Sequence, residues 1–165
     1  MNKVTRARLM AVTAHEGQMY GELPYEYHID AVARLVVNWG ERAEVVAYLH
    51  DTLEDTPLTA AEIEAAFGPE VRSCVEALTD PVAPNRKARK ALSYARLRAI
   101  PSDAPEALAL VVKAADRLAN LRASVKTNIG KLLMYRQEHK AFVEAVLRPG
   151  LNDSLVRECS KILGV

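Results

Sequence analysis

Apolar residues recur at three- and four-residue spacing through nearly the whole chain, and alternating runs of β-branched residues are scarce. This period gives a helix one apolar face, so the pattern predicts an all-α protein. Glycine and proline interrupt the pattern and mark the helix ends. The predicted helices are Lys3–His15, Ile29–Trp39, Glu41–Leu53, a short helix that opens at Thr59 and stops at Gly68, Pro69–Thr79, Arg86–Arg98, Glu106–Lys126, Asn128–Leu147 and Leu151–Leu163.

Two segments between these helices are predicted to be loops. Glu16–Tyr25 contains two glycines and a proline, and Asp80–Asn85 contains two prolines, which remove backbone donors and restrict the residues before them. Thr59 and Glu62 have the spacing of a capping box, which should begin a helix.

Length and composition suit a single domain covering residues 1–165, because 50% of the residues are hydrophobic. The chain has 22 Lys and Arg against 21 Asp and Glu, so no large net field attracts nucleic acid or an anionic membrane. No run approaches the roughly 18 apolar residues of a membrane span, and a cytoplasmic protein is expected. Cys74 and Cys159 lie in amphipathic runs and are expected to be reduced core residues.

The main cluster of polar residues follows the apolar run Val45–Leu49. If the helix continues, His50 lies over Glu54 and Asp51 lies over Asp55, because residues four apart share a helix face. An imidazole and a carboxylate at consecutive positions can both reach a metal, and acids one turn later can transfer protons at a metal-bound water. Alternatively, His50 is a core histidine and the acids form a solvated helix end.

Two further residues are candidates for the same chemistry. His28 follows the first loop at the start of a helix, where a capping or packing role is the alternative. Asp116 interrupts a run of Ala, Leu and Val, and a carboxylate there costs several kcal/mol unless a cation, metal or donor compensates it. A salt bridge to Lys113 or Arg117 is the alternative. With His50 and Asp51, these residues form a mixed imidazole and carboxylate set that suits Mn or Fe.

The chain resembles the HD-domain metal-dependent phosphohydrolases, and within them the hydrolase domain of the RelA/SpoT alarmone enzymes and their stand-alone small hydrolases. The resemblance extends from about Ala11 to Val146. It implies one HD-domain helical bundle of about eight helices and leaves no room for a synthetase domain. The motifs that carry it are Gly17-Gln18, Pro24-Tyr25 before His28, Leu49–Thr56, Phe67-Gly68 before Val71, and Lys113–Arg122.

The resemblance also implies a function and a set of site residues. It implies a Mn²⁺-dependent enzyme that hydrolyses the 3′-pyrophosphate of guanosine tetra- or pentaphosphate, (p)ppGpp, to GDP or GTP and pyrophosphate. The implied metal ligands are His28, His50, Asp51 and Asp116, the implied acid/base pair is Glu54 and Asp55, and the expected contacts to the guanine nucleotide are Asn120, Lys113 and Tyr135.

One departure from the family pattern concerns the substrate. The family usually has an Arg-Lys pair shortly after Gly-Gln, whereas this chain has Met19-Tyr20-Gly21. Tyr20 could instead stack on a base, and the basic helix Arg86–Arg98 could supply charge from Lys87, Arg89 or Lys90, although such a helix is more often a solvated face. Hydrolysis of another nucleotide phosphate, such as a 5′-mononucleotide or the 2′-phosphate of NADPH, is therefore an alternative. A non-catalytic nucleotide-binding protein is another, although the intact acid pair favours an enzyme.

Overall fold

The longest apolar run of the sequence forms the centre of the fold, in a computed structural model that describes all 165 residues. Most of the 18 residues of this helix are buried, and five other helices pack around it. The ten α-helices are α1 (Lys3–Ala14), α2 (Glu26–Leu35), α3 (Glu41–Leu49), α4 (Thr52–Asp55), α5 (Ala60–Phe67), α6 (Pro69–Leu78), α7 (Arg86–Arg98), α8 (Ala107–Ser124), α9 (Ile129–Val146) and α10 (Asp153–Leu163). Helices α2, α3, α6, α9 and α10 all contact α8. The all-α prediction is confirmed, with two more helices than the bundle of about eight that was expected.

The first predicted loop is partly regular. It contains a two-stranded antiparallel hairpin of β1 (Met19–Tyr20) and β2 (Leu23–Pro24), with Gly21 at a φ of 64° in the turn. Glycine reaches such a φ without the steric cost that a side chain adds. The following helix begins at Glu26, which is earlier than predicted, so His28 lies in its first turn.

The predicted helix Glu41–Leu53 is wrong in one respect that matters for the site. Helix α3 ends at Leu49, and the short α4 begins at Thr52, so His50 and Asp51 lie in the break between them. Side chains take up carbonyl oxygens here: His50 Nδ1 donates to Ala47 O at 2.8 Å and Thr52 Oγ1 donates to Leu49 O at 2.7 Å. Such local bonds compete with the helical ladder, and the continuous helix that the spacing suggested is broken between Leu49 and Thr52.

Other helix ends agree with the sequence. Thr59 and Glu62 make both bonds of the predicted capping box, and Pro69 occupies the first turn of α6. Helix α7 has the predicted bounds, and the segment before it is irregular, as its prolines indicated. Cys74 and Cys159 are buried free thiols. None of the helices has the length and apolar character needed to cross a membrane.

A buried arginine joins α8 to its neighbours. The Arg117 guanidinium lies 4.4 Å from the ring centres of both Tyr135 and Phe142 on α9. It donates to Tyr94 Oη on α7 at 2.7 Å and lies 3.4 Å from Glu138 Oε2. A buried cation is tolerated because its charge is paired and its faces are stacked on aromatic rings.

We expect Glu138→Ala to lower the free energy of unfolding by about 3 kcal/mol, because it leaves the buried Arg117 without its carboxylate and also removes the two hydrogen bonds that Arg86 donates to Glu138. Urea denaturation measures this loss. Glu144→Ala on the same helix is the matched control, since it breaks an exposed pair with Arg98 that is worth at most about 1 kcal/mol. Equal stability of the two variants would show that the Arg117 pair contributes no more than a surface contact.

Candidate metal and catalytic site

Four side chains from three parts of the chain meet on one side of α8. His28 comes from the first turn of α2, His50 and Asp51 from the break after α3, and Asp116 from the middle of α8. His28 Nε2 lies 3.3 Å from Asp116 Oδ1, and His50 Nε2 lies 2.9 Å from Asp51 Oδ2. His50 Nε2 is also 3.7 Å from Asp116 Oδ1. The structure therefore brings together all four residues that the sequence suggested as metal ligands.

The donor atoms of this cluster fit a divalent cation. The Nδ1 atom of His50 carries the hydrogen that is donated to Ala47 O, so Nε2 is the ring nitrogen that faces the cluster and offers a lone pair once a binding cation displaces its proton. This Nε2 atom is buried, and its 2.9 Å contact with Asp51 Oδ2 does not have hydrogen-bond geometry. Ligand atoms of His28, His50 and Asp51 lie within 4.8 Å of one another, and Asp116 approaches both imidazoles. Two imidazoles and two carboxylates are a suitable donor set for a first-row metal.

Electrostatics keep the two carboxylates of the cluster ionised. Burial opposes ionisation of Asp51, but the neighbouring His50 outweighs it and lowers the pKa of Asp51 to about 2. For Asp116, burial is again outweighed, by contacts with His28 and His50 and by the charge of Lys113, which together hold its pKa well below the usual value. In His50, burial opposes the charged form, yet Asp51 and Asp116 raise its pKa well above the ordinary value. The cluster therefore attracts positive charge strongly.

Asp116 is held by both an ion pair and an amide. Lys113 Nζ lies 3.7 Å from its Oδ2, so the predicted salt bridge exists alongside the histidine contacts. Arg117, the other suggested partner, pairs with Glu138 instead. Asn120 donates from Nδ2 to Asp116 Oδ1 at 2.6 Å and accepts from Tyr20 Oη at 2.7 Å. The amide expected to contact a nucleotide is therefore bonded on both sides within the protein.

The two candidate acids project from α4, directly after the ligand pair. Glu54 Oε2 accepts the backbone N–H of Asp80 at 3.0 Å. Partial burial and the nearby charges of Asp80, Asp51 and Asp55 raise the pKa of Glu54, despite the bond from Asp80. Partial burial and the charge of Asp51 also raise the pKa of Asp55. The negative charge of Asp51 therefore acts on both acids, which retain protons more readily than free carboxyls do.

Two tyrosines at the site have contacts that the sequence did not reveal. Tyr25 Oη donates to Asp51 Oδ2, whereas the sequence marks Tyr25 only as part of the motif before His28. The ring of Tyr20 stacks on His28, with ring centres 4.6 Å apart and planes 17° apart. One face of Tyr20 is thus already covered, and Lys131 Nζ lies 5.6 Å from its ring centre. The motif around Tyr25 was the only sequence signal for these contacts.

The other expected substrate contacts are partly used within the protein. Tyr135 is only 7% exposed and carries Arg117 over its ring. In the basic helix α7, Lys90 Nζ lies 2.6 Å from Asp80 Oδ2, and Arg89 Nε lies 3.6 Å from the same atom. Asp80 therefore compensates part of the charge of α7 near the site.

Comparison with known proteins agrees with this arrangement. The chain is 39% identical over 103 residues to the human guanosine-3′,5′-bis(diphosphate) 3′-pyrophosphohydrolase, an alignment that covers 60% of this chain and 55% of the human protein. It is 35% identical over 123 residues to the GTP pyrophosphokinase rsh of Brucella melitensis, covering 72% of this chain and 16% of that protein. The chain thus spans about half of the first relative and a small part of the second.

Solved structures show the same fold. A metazoan ortholog of SpoT that hydrolyses ppGpp superposes with a TM-score of 0.83 at 24% identity, covering 99% of this chain and 95% of that one. A crystal structure from Listeria monocytogenes EGD-e gives a TM-score of 0.66 at 27% identity, covering 90% of this chain and 100% of that one. The HD domain family model matches residues 7–140. The chain belongs to the HD domain family.

Proposed function

We propose that this chain is a divalent-metal-dependent hydrolase that removes the 3′-pyrophosphate from (p)ppGpp. The observation that carries the proposal is the convergence of two histidines and two aspartates, next to a pair of acids whose pKa values are raised. The similarity to the human 3′-pyrophosphohydrolase supports the choice of substrate.

His28, His50, Asp51 and Asp116 would hold the cation, and Mn²⁺ is proposed because imidazole and carboxylate donors suit it. When bound, such a cation lowers the pKa of a coordinated water towards about 7 and polarises a phosphoryl oxygen. Hydrogen bonds within the protein fix the orientation of two of these ligands. The bond from His50 to Ala47 O sets its ring tautomer, and the bond from Asn120 to Asp116 restrains that carboxylate.

Glu54 is proposed as the general base and Asp55 as the general acid. Glu54 takes a proton from the attacking water, whose oxygen bonds to the phosphorus next to the 3′-oxygen. The bond from that phosphorus to the 3′-oxygen breaks, pyrophosphate leaves, and Asp55 supplies the proton for the 3′-hydroxyl of the nucleotide. Raised pKa values suit both tasks, because an acid/base group works best when its pKa is close to the working pH.

Part of the positive charge near the cluster is already paired with acids of the protein. Lys113 lies between Asp116 and the charge of Asp80, which raise its pKa in spite of burial. Tyr20 stacks on His28 and adds no positive charge in the segment where the family pattern has a basic pair. This feature favours a second candidate function, hydrolysis of a less highly charged phosphate such as a 5′-mononucleotide or the 2′-phosphate of NADPH.

Identification of the released phosphate species tests the proposal. We expect Mn²⁺-loaded protein to release pyrophosphate and GDP from ppGpp, and a chelator to stop the release. The same protein is incubated with 5′-GMP, 5′-AMP and NADPH as alternative substrates. Orthophosphate from one of these, with ppGpp intact, would assign the second function, whereas metal and nucleotide binding without any product would identify a non-catalytic protein.

A further inference from the structure

Helix α4 is a four-residue turn with a proposed metal ligand before its start and the proposed acid/base pair at its end. Asp51 precedes it and Asp55 is its last residue. Its backbone bonds run from Glu54 N and Asp55 N to Asp51 O, at 3.2 and 3.0 Å, and from Thr56 N to Thr52 O at 3.2 Å. Isolated helices shorter than about 12 residues are marginal in water, so contacts from elsewhere must hold α4 in place.

One such contact acts at the start of α4. Tyr25, the residue before α2, donates its hydroxyl hydrogen to Asp51 Oδ2. The same oxygen lies 2.9 Å from His50 Nε2. A carboxylate oxygen has two lone pairs. The bond from Tyr25 uses one lone pair of Asp51 Oδ2 and thereby orients the carboxylate so that the other faces the histidines.

A second contact acts at the end of α4. Gln18 Nε2 donates to the backbone oxygen of Asp55 at 2.7 Å. The amide oxygen of Gln18 must then be the atom that faces His15 Nδ1, at 2.8 Å, so it accepts the hydrogen of that imidazole. The buried His15 therefore fixes the orientation of the amide that bonds to α4.

These two contacts belong to one rigid unit. The rings of His15 and Tyr25 stack with centres 4.4 Å apart and planes 27° apart. Tyr25 N donates to Gln18 O at 3.0 Å, and His15 is only 3% exposed. The three residues therefore cannot move independently.

We propose that His15, Gln18 and Tyr25 are positioning residues that form a brace, holding both ends of α4 and thereby orienting Asp51, Glu54 and Asp55. The roles of Asp51, Glu54 and Asp55 rest on the proposed function. The residues of the brace are additional to these acids and to the metal ligands. Groups that orient a ligand typically change metal affinity about 10- to 100-fold when they are removed.

Tyr25→Phe tests the first end of the brace. We expect it to bind Mn²⁺ alone about 10- to 100-fold more weakly in calorimetry, because Asp51 loses its orienting donor. Tyr27→Phe is the matched control, since Tyr27 lies two residues further along the chain, in α2, and is 55% exposed. Saturating Mn²⁺ should restore kcat in Tyr25→Phe, which a general loss of structure would not allow.

Gln18→Ala tests the second end by hydrogen exchange. We expect the amides of Glu54, Asp55 and Thr56 to exchange about fivefold faster, because one hydrogen bond to α4 is lost. The exposed Gln137→Ala on α9 should leave these rates unchanged.

Manganese affinity of Tyr25→Phe equal to that of Tyr27→Phe would overturn the brace at Asp51. Unchanged exchange in Gln18→Ala would overturn it at Asp55. Neither measurement contains a nucleotide, so both outcomes can be separated from a failure of the proposed hydrolysis.

Discussion

The Asp116→Ala variant is expected to lose its metal on dialysis and, with it, all measurable turnover. Asp116 is the residue that approaches both His28 and His50, and its low pKa keeps a negative charge in the cluster. Removal of the groups that merely orient a ligand weakens binding about 10- to 100-fold, so loss of a ligand should weaken it more. Metal content per chain after dialysis, measured by mass spectrometry, gives the result directly.

The control for this variant separates ligand loss from unfolding. Asp116 also pairs with Lys113 and accepts from Asn120, so alanine leaves a buried cation unpaired. Asp116→Asn nearly preserves the volume and retains an oxygen for Asn120, and it should lose the metal while the fold is kept. Asp103→Ala, in an exposed loop, should behave as the unmodified protein. Metal content unchanged in both Asp116 variants would remove this residue from the ligand set.

The Glu54→Gln variant is expected to retain the metal and lose about 10²- to 10⁴-fold in kcat, the usual contribution of a general base. Glutamine still offers an oxygen to the backbone N–H of Asp80, so the side chain should keep its position while losing its ability to take a proton. Steady-state kinetics with saturating Mn²⁺, together with metal content, measures both properties on one sample.

The matched control is Glu22→Gln, the same change at an exposed position in the hairpin turn. It should leave kcat unchanged. A Glu54→Gln variant with full activity would mean that a different group accepts the proton, and Asp55 would then be the first to examine.

Asp80 lies between Glu54 and the positively charged Lys90 and Lys113. Its backbone N–H binds Glu54, while its carboxylate contacts Lys90 at 2.6 Å and lies in the field of Lys113. Burial opposes ionisation of Asp80, but the charge of Lys113 and the contact with Lys90 lower its pKa overall. The loop before α7 therefore fixes Glu54 and compensates part of the basic helix, which gives that irregular segment a place in the site.

Local chemistry explains why many helix ends could be predicted. The capping box at Thr59 and Glu62 forms between residues three apart, and Pro69 needs only its own ring to begin α6. Helix α7 begins where Asn85 caps it, directly after a segment that its prolines keep irregular. These signals act over a few residues, so the sequence contains them in full.

The continuous helix predicted across His50 and Asp51 fails for the opposite reason. Its residues have no glycine or proline, so local propensity favours an unbroken helix. The break is stabilised by side-chain bonds within the segment and by Tyr25 and Gln18 from a distant one. Contacts that distant cannot be recognised from helical spacing.

The sequence by itself determined the helical class and most helix boundaries, because periodicity and caps are local properties, and it suggested the four residues that converge through their residue chemistry. Only the tertiary structure decided that Tyr25 binds Asp51, that Tyr20 covers His28, and that Asn120 is already bonded to Asp116 and Tyr20. Those contacts join residues as far as 100 positions apart, and their formation depends on how α2 and the hairpin pack against α8.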